Sequence, residues 1–164
     1  MSVFKFCDLI FEELTFPNFY AKNKENLIVN LSNILEEKGF VRKGFANAVL
    51  EREKEFPTGL PTNILKVAIP HAIDTSFVET PSIVIARLNS PVTFGEMGSL
   101  ENTVEVDMVL LLAVKGDKSQ LEILQRLLGV FCEEEQMLRL KAANTSKDIY
   151  NLFKEFTSLE QSAF

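Results

Sequence analysis

From Lys24 the apolar positions Leu27, Leu31, Ile34 and Leu35 recur at helical spacing, and Gly39 stands where a helix commonly stops, so the pattern predicts a helix over 25–38. A second helix is expected from near Val41, with Phe45, Ala48 and Val49 on one face and Pro57 and Gly59 preventing its continuation. The period then changes. Val67–Ile69 and Pro81–Leu88 are short, β-branched runs bounded by proline or polar residues and read as strands. Val104–Val114 is the most apolar stretch, and its near-continuous Val, Met and Leu content suits a strand buried on both faces at the middle of a sheet. Asp117 is placed to cap a helix that turns Leu121, Leu124, Leu128 and Phe131 inward. Ser146 is placed to cap a last one carrying Ile149, Leu152, Phe153 and Phe156. Helices and strands interleave, so the expected fold is a single α/β domain over 1–164, with a mixed sheet between helical layers.

Composition agrees with one unaided core. The 164 residues suit one domain at roughly 100 to 200 residues each. Hydrophobic residues at 46% and charged residues at 24% exclude a disordered or disulfide-stapled chain. With 23 acidic against 17 basic side chains, the net charge of −6 opposes a nucleic-acid backbone, and no nucleic-acid partner is expected. The longest apolar run, Met108 to Val114, falls far short of the roughly 20 residues that span a bilayer, so no membrane insertion is expected. Lys5, Asp8, Glu12 and Glu13 interrupt the N-terminal hydrophobics, which argues against a secretory leader. Cys7 and Cys132 lack CxxC spacing and read as reduced, mostly buried cytosolic thiols.

His71 is the sole histidine and follows Pro70 where the Val67–Ile69 strand runs out, at the strand end where open α/β sheets place their sites. Imidazole is a nucleophile at neutral pH and carries a phosphoryl group reversibly. A loop histidine bonded to backbone fits the same position. Arg52 continues the stripe of Phe45, Ala48 and Val49, which aims a guanidinium at the core rim, where it calls for an anion. A snorkelling arginine paired with a glutamate would also fit, and the glutamates around it read as a solvated helix face. The loop Phe56-Pro57-Thr58-Gly59-Leu60-Pro61-Thr62 lies between Arg52 and His71. Gly59 would permit a conformation closed to other residues, and Thr58 and Thr62 could donate to phosphate oxygens, although turn formation explains the same residues. Gln120 falls in the first turn of the helix capped by Asp117. Two cysteines and one histidine make no zinc shell, and neither a G-x-S-x-G elbow nor a G-x-G-x-x-G turn is present. Phe94–Gly98 reads as a flexible surface turn.

Leu50-Glu51-Arg52-Glu53, Pro57-Thr58-Gly59-Leu60-Pro61-Thr62, Val67-Ala68-Ile69-Pro70-His71 and Pro91-Val92-Thr93-Phe94 occur in the order that resembles the enzyme IIA component of the bacterial sugar phosphotransferase system. The resemblance is to the fructose/mannitol class. The Thr-Gly-Leu-Pro-Thr loop and Met97-Gly98 look most like its galactitol-specific branch, and the similarity runs from about Glu25 to Phe156. It implies the fructose/mannitol-type enzyme IIA fold and a phosphotransferase with a phosphohistidine intermediate. His71 would accept a phosphoryl group on Nε2 from the carrier protein HPr and pass it to a cysteine of the cognate enzyme IIB. Arg52 would face the phosphate, with Thr58, Thr62 and Gln120 as supporting donors. The chain would be cytoplasmic, tied in function to a membrane enzyme IIC, and would need no metal or organic cofactor. Where several relatives carry a second active-site histidine, this chain has Ser119-Gln120-Leu121, and Gln120 supplies no positive charge. A regulatory module of the same fold, whose His71 phosphorylation selects a protein partner, is the alternative. Either use requires a transient docking surface, apolar with a polar rim, at the low end of about 1,200 Å². Gly95–Gly98 and Thr58–Thr62 are expected at its edge. Both also require an imidazole that visiting proteins can reach and a guanidinium near it.

Overall fold

The computed structural model describes residues 6–162, with all side chains of that span except those of Asp117 and 157–162. After a 3₁₀ turn at Phe6–Leu9, the chain runs through β1 (Ile10–Phe19), α1 (Lys24–Glu37), α2 (Phe45–Glu55), β2 (Gly59–Leu60) and β3 (Val67–Ala68). It continues through β4 (Ser82–Gly95), β5 (Thr103–Ala113), α3 (Asp117–Phe131), α4 (Glu134–Ala142) and α5 (Ser146–Ser162). The five strands form one sheet in the order β1-β4-β5-β3-β2. β4 and β5 form its antiparallel centre, β1 and β3 flank them in parallel, and β2 closes the far edge antiparallel to β3.

The two-residue period of β5 explains the layering. Met108, Leu110 and Leu112 point to one face and pack with Ile123, Leu127, Met137, Ile149 and Phe153 of α3, α4 and α5. Val109, Leu111 and Ala113 point to the other, against Leu27, Leu31, Leu35, Phe45 and Val49 of α1 and α2. The central position expected for this strand, and the mixed sheet between helical layers, are therefore observed.

Several local expectations give way to tertiary context. The 41–44 stretch is not helical: Val41 bridges to Val78, and Gly44, at φ 104°, is the residue from which α2 starts. Gly116 rather than Asp117 precedes α3. Thr145 Oγ1, not Ser146, accepts the Asp148 N–H at the start of α5. On α3, Leu124 and Phe131 pack on the core as expected, but Leu121 and Leu128 are exposed, and Ile123, Leu127 and Val130 face inward in their place. Phe94 and Gly95 belong to β4, with Phe94 fully buried, so the turn is confined to the residues that follow. Cys132 is exposed and Cys7 is half-buried, contrary to the expectation of buried thiols. Among the described residues no helix is long and apolar enough to cross a membrane.

Candidate functional site

β3 ends at Ala68, and three residues beyond it His71 forms a parallel bridge with Leu112, next to the Leu112 N–H that donates to Pro70 O at 3.0 Å. The histidine thus stands at the carboxyl ends of two adjacent parallel strands, β3 and β5, the position at which α/β sheets place ligands. Its Nδ1 lies 2.8 Å from Ile69 O. A carbonyl only accepts, so Nδ1 carries the proton and Nε2 keeps its lone pair.

Burial pushes the imidazole pKa down to about 4; the Ile69 bond opposes that shift and the Arg52 charge adds to it. At neutral pH the ring is therefore uncharged. Only 3% of His71 is exposed, so the open, reachable ring expected from the sequence is replaced by one that is nearly closed off.

Arg52 sits in the last turn of α2, where Nη1 donates to Phe56 O at 3.2 Å and the guanidinium lies 5.2 Å from the centre of the Phe56 ring. It is half-buried, and desolvation lowers its pKa although Glu53 opposes this. The buried stripe of α2 runs Phe45, Val49, Glu53, so the residue turned inward is the glutamate, and Arg52 occupies the rim.

Glu53, expected on a solvated face, is 2% exposed. Its Oε2 accepts the Thr58 N–H at 2.8 Å and its Oε1 the Thr58 hydroxyl at 2.7 Å. Burial raises its pKa, opposed by these bonds and by the charges of Lys24 and Arg52. The signal that would have found it is the spacing of four from Val49, which outranks the charge when a loop returns donors to the helix end.

The supporting donors prove to be engaged within the protein. Thr58 Oγ1 gives its proton to Glu53 and accepts the Ile69 N–H at 3.2 Å. Thr62 Oγ1 donates to Leu65 O at 2.6 Å and so ties its own loop. Gln120 Nε2 donates to Ala72 O at 3.2 Å, which pins the first turn of α3 to the residue after His71. Thr58 and Thr62 each commit their one hydroxyl proton within the protein, whereas Gln120 keeps a second amide N–H beyond its bond to Ala72 O.

Gly59 does not use a left-handed conformation; it is there for close approach. A Cβ on it would lie 2.5 Å from Gly95 O, and one on Gly95 would lie 2.8 Å from Pro57 Cβ. Met97 N–H donates to Gly59 O at 2.8 Å, so the 57–60 loop and the end of β4 form one ledge beside the site. Exposed apolar side chains stand on the segments around it: Phe56, Ile73, Met97 and Leu121. The described residues contain no group of three or more His, Cys, Asp or Glu disposed to hold a metal ion.

The galactitol-specific EIIA component of Escherichia coli K12 is 29% identical over 107 residues, covering 65% of this chain and 70% of that protein. The mannitol-specific phosphotransferase enzyme IIA component of Halalkalibacterium halodurans is 30% identical over 129 residues, 79% and 83% of the two chains. Enzyme IIA for mannitol from Escherichia coli, solved in complex with phosphorylated enzyme IIB, has the same fold at a TM-score of 0.71 and 22% identity. The match covers 87% of this chain and 95% of that one. Residues 8–156 match the EIIA 2 family of the phosphoenolpyruvate-dependent sugar phosphotransferase system, and the chain belongs to that family, in its fructose/mannitol class.

Proposed function

We propose that this chain is a phosphocarrier whose His71 Nε2 accepts a phosphoryl group from phosphorylated HPr and passes it to a cysteine of a cognate enzyme IIB. The observation that carries the reading is a neutral imidazole with Nδ1 tied to Ile69 O and Nε2 unpaired among the described residues, under the electrostatic influence of Arg52. An uncharged Nε2 has the lone pair that in-line attack on phosphorus needs; forming the N–P bond breaks the donor's N–P bond and leaves the donor imidazole to recover its proton. Arg52 then neutralises the charge on the equatorial oxygens. With 3% of the residue exposed, the partner must meet the ring at its rim, and Phe56, Ile73, Met97 and Leu121 supply apolar surface for a transient contact. The sugar or polyol served is of the galactitol type, and the chain works in the cytoplasm beside a membrane-embedded enzyme IIC.

The test is incubation with phosphoenolpyruvate, enzyme I and HPr, followed by addition of enzyme IIB. An acid-labile phosphate that appears on the wild type, is absent from His71→Ala and moves on to enzyme IIB is the expected result. Labelling of His71→Ala, or no labelling of the wild type, refutes the acceptor assignment; in the second case the near closure of the ring is the physical reason. Labelling without onward transfer favours a regulatory role over a transport role.

A further inference from the structure

We propose that Glu53 is a positioning residue which, through Thr58, fixes Ile69 so that its carbonyl holds His71 in the single tautomer with Nε2 unprotonated. The inference rests on the reading of His71 as the phosphoryl acceptor and adds what keeps that acceptor ready.

The chain of contacts is directional. Glu53 and Thr58 are each 2% exposed, and while Glu53 is ionised, the form that its two bonds from Thr58 and the charges of Lys24 and Arg52 favour, its carboxylate accepts but does not donate. The one proton of the Thr58 hydroxyl is therefore committed to Glu53 Oε1 at 2.7 Å, and its lone pairs are left for the Ile69 N–H at 3.2 Å. That N–H needs such a partner. Pairing of β3 with β2 ends at Ala68 opposite Gly59, and Ile69 is 1% exposed, so without Thr58 its N–H would be buried and unpaired. The N–H and C=O of Ile69 belong to successive peptide units joined at one Cα. Holding the first while Pro70 restricts the backbone before it sets the direction of the second. The carbonyl then meets His71 Nδ1 at 2.8 Å. On the other flank Gln120 holds Ala72 O, so the backbone around His71 is tethered on both sides. A glutamine at 53 would break the directionality, because its amide can donate to Thr58 Oγ1 and turn the hydroxyl away.

The experiment uses the full, unphosphorylated chain. Its one histidine gives a single pair of imidazole ¹⁵N resonances, whose shifts report the tautomer with no phosphoryl donor present. Wild type should sit in one tautomer, protonated on Nδ1. Thr58→Val keeps the shape and removes the hydroxyl; it and Glu53→Gln should give averaged shifts of mixed tautomers, and Thr58→Ser should restore the wild-type pair. In the phosphorylation assay the first two should slow uptake by about tenfold or more, as a misplaced nucleophile does. Folded Thr58→Val and Glu53→Gln with wild-type ring shifts would overturn the proposal, and Thr58→Ser with the mixed shifts of Thr58→Val would as well. If only one of the first two variants folds, that variant decides. Because the tautomer is read without phosphate, a wild type that takes up no label removes the carrier reading while the positioning result still stands or falls by itself.

Discussion

Acidification acts on His71 through its burial, and the effect on stability has a definite sign. The folded ring has a pKa of about 4, while an unfolded chain protonates near the ordinary 6.5. Between these values the unfolded state binds more protons, so stability falls as pH falls. The contribution is full above about pH 6.5 and gone below about pH 4, and a difference of about 2.5 pH units corresponds to about 3 kcal/mol. Glu53 acts in the opposite sense. Its carboxyl is held above the usual 4.5, so on acidification the folded state takes up that proton first and gains relative stability. A raw stability profile mixes the two. His71→Gln keeps Glu53 and removes the imidazole, so the difference between wild type and variant isolates the ring. Urea unfolding followed by circular dichroism from about pH 7.5 to about pH 4.5 should show wild type losing about 2.5 kcal/mol more than the variant. At about 1–3 kcal/mol per molar urea, the gap between midpoints should change by about 0.8–2.5 M. A gap that stays constant, or a histidine ¹H resonance that titrates at the ordinary 6.5, would refute the reasoning.

Arg52→Ala loses one bond to Phe56 O and the stacking on its ring; it should fold normally and slow phosphoryl uptake by about 10²-fold, read by label incorporation over time. Gly59→Ala brings a Cβ to 2.5 Å from Gly95 O, a contact that forces the loop off β4; a loss of about 1–3 kcal/mol in urea unfolding is expected. Arg87 ties two elements through Pro17 O at 3.0 Å and Leu140 O at 2.8 Å, so Arg87→Met should destabilise by about 2–3 kcal/mol by the same measurement. Arg87→Lys should recover less than half, since one ammonium cannot span both carbonyls.

What could be read from the sequence was whatever depended on local period and on motif. β5 was legible because a strand buried on both faces needs an apolar side chain at nearly every position, a demand that β4 shares only over Ser82–Ala86. α1 was legible because Leu27, Leu31 and Leu35 repeat at one spacing and Gly39 follows its end. β1 was not, since it is an edge strand with Pro17 inside it and a polar outer face, and its pairing with β4 shows only in three dimensions. α4 was missed because only Met137 and Leu140 of its nine residues are buried, too few to set a period. The position of His71 at a strand end was legible, but its enclosure was not, because that depends on the 57–62 loop and the first turn of α3, which lie far from it in sequence. Glu53 was misread because a returning loop, not its own helix, sets its surroundings. The partner that makes its burial tolerable, Thr58, lies beyond the end of its helix.

These two corrections have one cause, and it bears on how the proposed carrier would work. Enclosing the ring removes water that would protonate or solvate it, and the same exclusion strengthens the influence of Arg52, whose charge is only partly matched by neighbouring Glu53. In the resting chain that charge acts against a proton on His71. Once a dianionic phosphoryl group replaced the lone pair at Nε2, the same charge would face an opposite one, and the enclosure that had penalised a cation would favour the pair. In the proposed carrier the site would thus be biased against protonation by the same features that favour phosphoryl uptake. A more exposed histidine would be easier for a partner to reach, but it would be partly protonated near neutral pH and would gain less from its arginine, so the near closure of the ring exchanges ease of access for readiness of the nucleophile.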